Sequence, residues 1–283
     1  MSAATVRAQG LDKFYTKPSV AKKCLDTIGE WKPWSSWGLV VEPSAGNGSF
    51  FHQIPTDKKV GLDLLPGAPT ILQQDFFTYT VPPDIGPILV VGNPPFGRVS
   101  SLAVRFFWKA ASFSSALAFI LPRTFRRSSI QNRLPLSFHL IHDEDIPMEP
   151  CSFDPPMMAK CCFQIWEKRE EERVPVALPT THPHWTFLSM GPKDAEGQPT
   201  PPQGADFALR AYGGRVGEMK HEGLQTLRPK SWHWIRSQIP KEILVERFEA
   251  LAYEDSFDTA RQNSLGKGDL VRLYTEAYGL EDA

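Results

Sequence analysis

Short, almost wholly apolar runs alternate with turn-forming stretches over the first 170 or so residues. Gly38-Leu-Val-Val-Glu42, Lys59-Val-Gly-Leu62, Ile88-Leu-Val-Val-Gly92 and Ala116-Leu-Ala-Phe-Ile-Leu121 read as strands buried on both faces, being too short and too uniformly apolar for surface helices. Weaker strand signals lie at 70–73, Phe138 to His142 and Cys161 to Trp166. Helical spacing recurs between them. Val20, Cys24, Leu25 and Ile28 predict a helix over 19–29 with its start at Pro18 and Ser19, and further helices are predicted over 101–112 and toward Leu134. A glycine-bearing turn after Glu42 is expected to open another through Phe51 and Gln53. Strands and helices in alternation predict an α/β fold built on a doubly wound sheet.

The pattern changes after the charge run Glu167 to Arg173. Proline and glycine recur from Val174 to Gly204, with Pro-Thr-Pro-Pro at 199–202, which predicts a partly flexible linker. Beyond it, Asp206 to Arg210 and Ser231 to Arg236 read as strands around a turn at Gly213 and Gly214. Helices over 239–253 and 267–278 follow. The expected organisation is therefore a first domain over 1–173, a linker over 174–204 and a small α+β region over 205–283, a candidate for substrate recognition.

Composition narrows the class of protein. With 283 residues, 41% of them hydrophobic, the chain can bury a full core. No apolar run approaches the roughly 20 residues of a membrane helix. The N-terminal stretch around Arg7, Lys13 and Lys17 has no signal-peptide core, so a cytoplasmic or nuclear protein is expected. Cys24, Cys151, Cys161 and Cys162 form no Cys-x-x-Cys pair, which argues against zinc and against a disulfide framework; no metal is expected. The net charge of -1 excludes indiscriminate coating of nucleic acid. Its distribution says more. Arg98, Arg105, Lys109, Arg123, Arg126, Arg127 and Arg133 fall in a segment that lacks acids up to His142, a basic face suited to phosphate.

Candidate chemistry gathers where predicted strands end. At Asn93-Pro-Pro-Phe96 two prolines hold the backbone extended as it leaves the sheet. Asn93 offers a side-chain carbonyl, Pro94 a main-chain carbonyl and Phe96 an aromatic face, which together suit a planar molecule bearing an amino group. Glu42-Pro-Ser-Ala-Gly-Asn-Gly48 supplies Gly46 and Gly48 for close approach of a ligand, and Asp63 ends the next strand where a ribose would be held. Asp75 can accept from an adenine amino group with Phe76 beside the ring. Phe14, Tyr15 and Thr16 precede the first helix, where they either staple it or line a pocket. The loop from Glu144 to Lys160 is rich in proline, and its Phe153 is placed to close over a second ring face.

In that order, Phe14-Tyr-Thr-Lys-Pro18, the glycine motif, Asp63, Asp75-Phe76 and Asn93-Pro-Pro-Phe96 resemble the motifs of S-adenosylmethionine-dependent amino methyltransferases acting on adenine N6. The likeness covers roughly the first 170 residues. It implies a Rossmann-like class I methyltransferase sheet with a small C-terminal α+β appendage, S-adenosyl-L-methionine as cofactor and a nucleic acid as substrate. It also implies roles: Phe14, Tyr15, Thr16, Glu42, Ser44, Gly46, Gly48, Asp63, Leu64, Asp75 and Phe76 around the cofactor, and Asn93, Pro94, Pro95 and Phe96 at the reacting amine. Phe96, Arg98, Arg123, Arg126, Arg127 and Phe153 would hold the substrate. Lys17 and the Glu-Pro opening of the glycine motif depart from the commonest pattern. The tail, with Ala205-Asp-Phe-Ala-Leu-Arg210 and Gly266-Lys-Gly-Asp-Leu-Val-Arg-Leu-Tyr274, loosely resembles phage and viral orphan methyltransferases, which leans the expectation toward DNA; RNA stays open. A glutamine methyltransferase of the release-factor type and an inactive cofactor-binding subunit are the alternatives.

Overall fold

The computed structural model describes residues 14–280 except residue 261, with the backbone alone at residue 255. Arg7 and Lys13 lie outside the described residues. The chain divides into two units after Pro175.

In the first unit, β1 (Tyr15–Thr16) leads into α1 (Pro18–Trp31), and then come β2 (Leu39–Glu42), β3 (Lys59–Asp63), β4 (Leu72–Gln73) and β5 (Ile88–Gly92). After these come α2 (Ser101–Ala111), β6 (Ala116–Pro122), the single turn α3 (Ser128–Gln131), β7 (Phe138–Ile146), β8 (Phe153–Asp154) and β9 (Cys161–Lys168). Seven strands form one sheet in the order β4-β3-β2-β5-β6-β9-β7. The first five run parallel, and β9 lies antiparallel between β6 and β7. This is the Rossmann-like, mainly parallel α/β sheet anticipated above. Its order reverses between β2 and β5, and the carboxyl ends of strands at such a reversal form the crevice where α/β proteins bind ligands.

Side-chain alternation along the strands builds two cores, one on each face. Val41, Val90, Leu117 and Phe119 pack with Phe106 and Phe107 of α2, whereas Val40, Leu89, Val91 and Ile120 pack with Cys24, Leu25 and Ile28 of α1. Pro18 occupies the first turn of α1, where its missing N–H costs nothing. Cys24, Cys161 and Cys162 are buried and all four cysteines are free thiols.

Two local expectations need correction. The helix predicted after the glycine turn is a single 3-10 turn, Phe51–Gln53. Pro55 is the reason: a residue before proline avoids the helical region, and Ile54 is extended at φ -62°, ψ 117°. The strand predicted to stop at His142 continues to Ile146, because β9 offers it partners as far as Cys161.

The second unit holds β10 (Trp185–Leu188), β11 (Phe207–Arg210), β12 (Met219–Lys220), β13 (Trp232–Ser237), α4 (Lys241–Glu249) and α5 (Lys267–Tyr278). Its antiparallel sheet has the order β10-β13-β11-β12. The segment read as a flexible linker over 174–204 supplies β10, which pairs Trp185 with Ser237 and Leu188 with Trp234. Burial of Trp185 among Phe207, Phe248 and Tyr274 outweighs the turn-forming residues on either side. Trp232 and Trp234 are buried against Ala208. Among the described residues no helix is long and apolar enough to cross a membrane.

Candidate active site

The turn after β2 is held in place by β3. Gly46 adopts φ +53° and its amide donates to Asp63 Oδ2 at 2.8 Å, while the Leu65 amide donates to Asp63 Oδ1 at 2.8 Å. Each carboxylate oxygen keeps a second lone pair for a further donor. Tyr15 lies over the turn: a Cβ on Gly46 would stand 2.7 Å from its Cε1. That position of the ring follows from β1 and β8, which pair Tyr15 with Asp154 and Thr16 with Phe153, and from the Lys17 amide on the Ser152 carbonyl at 2.9 Å. Gly46→Ala must therefore both hold a left-handed backbone and displace Tyr15. It should lower stability by about 1–2 kcal/mol in chemical denaturation, and unchanged stability would contradict this packing.

Below this turn lie buried polar atoms without partners. Glu42, at the end of β2, is 2% exposed, and its Oε2 has no hydrogen-bond partner among the described residues. Burial pushes its carboxyl well above the usual carboxylate range; the Phe51 amide opposes that shift and the charge of Asp63 adds to it. Thr16 Oγ1 is likewise buried and unpartnered. Gly92 makes room beside Glu42, since a Cβ there would stand 3.1 Å from Glu42 Cγ. Orphaned buried polar atoms are rare in folded proteins, and an unpartnered carboxyl oxygen at the carboxyl end of β2 suits a polar or cationic ligand. S-adenosyl-L-methionine, which the sequence motifs imply, carries an ammonium group that Glu42 fits.

Asn93 follows Gly92 on the adjoining strand end. Its main-chain carbonyl accepts from Ser44 Oγ at 3.1 Å, and its Nδ2 donates to the Phe14 carbonyl at 3.4 Å. Its Oδ1 is left as an acceptor with no partner among the described residues. Pro94 is buried, and Pro95 and Phe96 are half-buried. Phe96 packs against both cores, and its carbonyl accepts the Leu102 and Ala103 amides at 3.2 Å each, fixing the start of α2. Glu42, Ser44, Gly46, Asp63 and Asn93, with Phe14, Tyr15 and Thr16, thus form one cluster at the reversal of the sheet.

Other residues singled out from sequence stand elsewhere. Phe76 is 2% exposed and stacks on Phe106 with ring centroids 5.3 Å apart, so its ring is core and not a ligand face. Asp75 is exposed and accepts the Phe77 amide at 2.9 Å. Leu64 is exposed beside Asp63, whereas Gly48, at φ +84°, leaves space that the His52 ring fills. Phe153 is buried in the core with Phe163 and Ile165, which removes it as a substrate-stacking ring.

The basic face also needs correction. Arg123 pairs with Asp145 at 2.6 Å, and Arg126 pairs with Asp143 and, at 2.8 Å, with Asp145. The neutralising acids lie on β7, just past the acid-free segment, where strand pairing brings them alongside. Asp143 also accepts from Gln164 Nε2 at 2.7 Å, and Gln164 Oε1 accepts from Trp166 Nε1 at 3.0 Å. The Asp143 bond is the largest cause raising the Arg126 guanidinium above its ordinary value. Arg126→Ala would strand a half-buried carboxylate and should cost about 1–3 kcal/mol of stability in chemical denaturation; unchanged stability would contradict this pairing. Arg98 is exposed and makes no ion pair among the described residues. Sequence reasoning missed the buried Ser100, whose Oγ lies 2.8 Å from Thr124 Oγ1; its only sequence signal is a serine shortly after the proline pair.

No protein-family model and no curated protein matches the sequence. Solved structures do. A proposed RNA methyltransferase from Pyrococcus horikoshii aligns over 56% of this chain and 87% of its own, with 15% identity and a TM-score of 0.42. The 23S rRNA methyltransferase ErmE aligns over 56% of this chain and 71% of its own, with 16% identity and a TM-score of 0.40. Magnesium protoporphyrin IX methyltransferase from Synechocystis PCC 6803, crystallised with S-adenosylmethionine, aligns over 53% of this chain and 81% of its own, with 11% identity and a TM-score of 0.38.

Proposed function

We propose that this chain transfers a methyl group from S-adenosyl-L-methionine to the exocyclic N6 amine of adenine in a nucleic acid. The observation that carries the proposal is the pairing of two strand ends at the sheet reversal. One bears the orphaned carboxyl of Glu42 and the other the free Oδ1 of Asn93, with Ser44 joining them.

The cofactor supplies an electrophilic methyl group. Glu42 would take its ammonium end, with Tyr15 and Thr16 bordering its methionine part; Asp63 would accept from its ribose hydroxyls, and exposed Asp75 from its adenine amine. Leu64 would border the adenine. On the acceptor side, an adenine amine is a poor nucleophile because its lone pair is delocalised into the ring. Asn93 Oδ1 and the Pro94 carbonyl, accepting its two N–H groups, favour a pyramidal nitrogen with a localised lone pair. No general base is needed before attack, since the proton leaves afterwards. Phe96 would stack on the base, which must be unpaired or everted. Arg98 and Arg127 would meet phosphates.

Transfer of tritiated methyl to matched DNA and RNA oligonucleotides tests the proposal. Label in either polymer is expected, with a lean to DNA from the tail motifs. Label in neither, with label in a glutamine-bearing peptide, would favour a glutamine methyltransferase. Cofactor binding without turnover on any acceptor would favour an inactive subunit.

A further inference from the structure

The loop joining Phe96 to α2 adopts a conformation that its own sequence disfavours. Gly97, Val99 and Ser100 have φ of +67°, +51° and +59°. For glycine this is ordinary, but a β-branched residue there is an outlier. Burial does not compensate, because Val99 is 77% exposed. The neighbours hold it instead. Ser100 is buried with its Oγ on Thr124 Oγ1 at 2.8 Å, and the Phe96 carbonyl takes the first amides of α2. Both ends of the loop are thus fixed, and the fold forces an apolar, branched side chain outward at the carboxyl end of the sheet, three residues from Phe96. Arg98 stands next to it, exposed.

We infer that Val99 is a wedge that enters the base stack where the target adenine leaves it, with Arg98 on the flanking phosphate. The inference rests on the adenine-N6 reading and deepens it. Base eversion leaves a gap whose unstacked neighbours gain from apolar contact, and aliphatic side chains serve that purpose in other nucleic-acid complexes. Strained backbone persists where the surroundings over-determine it, commonly at functional sites. A wedge held rigidly outward before binding has little conformational entropy left to lose.

The test presents the adenine that the wild type methylates in two forms, paired in a duplex and unpaired in a single strand. Val99→Asn keeps a residue type tolerant of left-handed backbone while removing the apolar wedge. Val174→Asn serves as a control at another exposed apolar position. The Val99 variant should keep transfer to the unpaired adenine within about twofold and lose at least about tenfold on the paired one, as unstacking is costly only there. With 2-aminopurine at the target position, wild type should raise the fluorescence of the duplex and the Val99 variant should not. Equal loss on both substrates, no loss on either, or a wild type confined to unpaired adenine would each overturn the wedge while leaving adenine methylation standing. A wild type that methylates no adenine overturns the adenine-N6 reading itself.

Discussion

Replacing Asn93 with alanine is expected to abolish methyl transfer while leaving cofactor affinity nearly unchanged. Asn93 Oδ1 has no partner among the described residues, and the bonds that position the residue run through its own main-chain carbonyl to Ser44 and through Nδ2 to Phe14. The alanine variant keeps the carbonyl and the Ser44 bond, so the turn bearing Glu42 and Gly46 is retained. What disappears is an acceptor whose interaction strengthens as the amine pyramidalises toward the transition state. Removing one such group typically costs about 10²–10³ in turnover. Asn93→Asp separates the parts: it keeps an acceptor but sets a carboxylate against the Phe14 carbonyl, so part of the activity should return. Single-turnover transfer and calorimetric titration of cofactor, made on the same preparations, provide the check. Loss of cofactor binding in Asn93→Ala would reassign the residue to holding Phe14 and the glycine turn.

The second large effect concerns Glu42. A buried carboxyl with an unpartnered oxygen stays protonated above the ordinary carboxylate range, because burial penalises its charge. The ammonium of a bound cofactor reverses that balance. Binding should therefore release a proton, and affinity should strengthen as pH rises toward the shifted value, above which it levels off. Glu42→Gln removes the charge and should weaken affinity about 10- to 100-fold, as expected for a charge-assisted hydrogen bond. Stability should move the other way. Since the folded-state value is raised, the wild-type contribution is complete below the unfolded carboxylate range and is lost as pH rises through the folded value. The ligand-free glutamine variant escapes that loss and should be the more stable protein at alkaline pH. Calorimetry in buffers of different ionisation enthalpy reads the proton, and denaturation across pH reads the stability. A pH-independent affinity would contradict this role for Glu42.

Sequence patterning carried the first unit well because its strands are buried on both faces. Val40, Val41, Leu89 and Val90 had only one plausible environment, and the strand ends located Glu42, Asp63 and Asn93 with them. It failed where partners distant in the chain decide the outcome. The acids on β7 pair with Arg123 and Arg126 only because β9 brings those strands together, which no count of local charge reveals. Phe76 from its motif and Phe153 from its proline-rich loop read as stacking residues, yet each is claimed by a core assembled from several elements. In the second unit, prolines and glycines around Trp185 hid a strand whose burial needs Phe207 and Tyr274. The left-handed backbone at Val99 left no trace in sequence, where nothing shows that the neighbouring Ser100 meets Thr124.

Mass spectrometry of nucleosides tests the central claim most directly. DNA and RNA treated with the protein and isotopically labelled S-adenosyl-L-methionine would be digested and their nucleosides resolved. The account predicts labelled N6-methyladenine nucleoside from at least one polymer, absent when Asn93→Ala replaces the wild type. Label confined to any other nucleoside, or an unlabelled digest from a preparation that binds the cofactor, would contradict it.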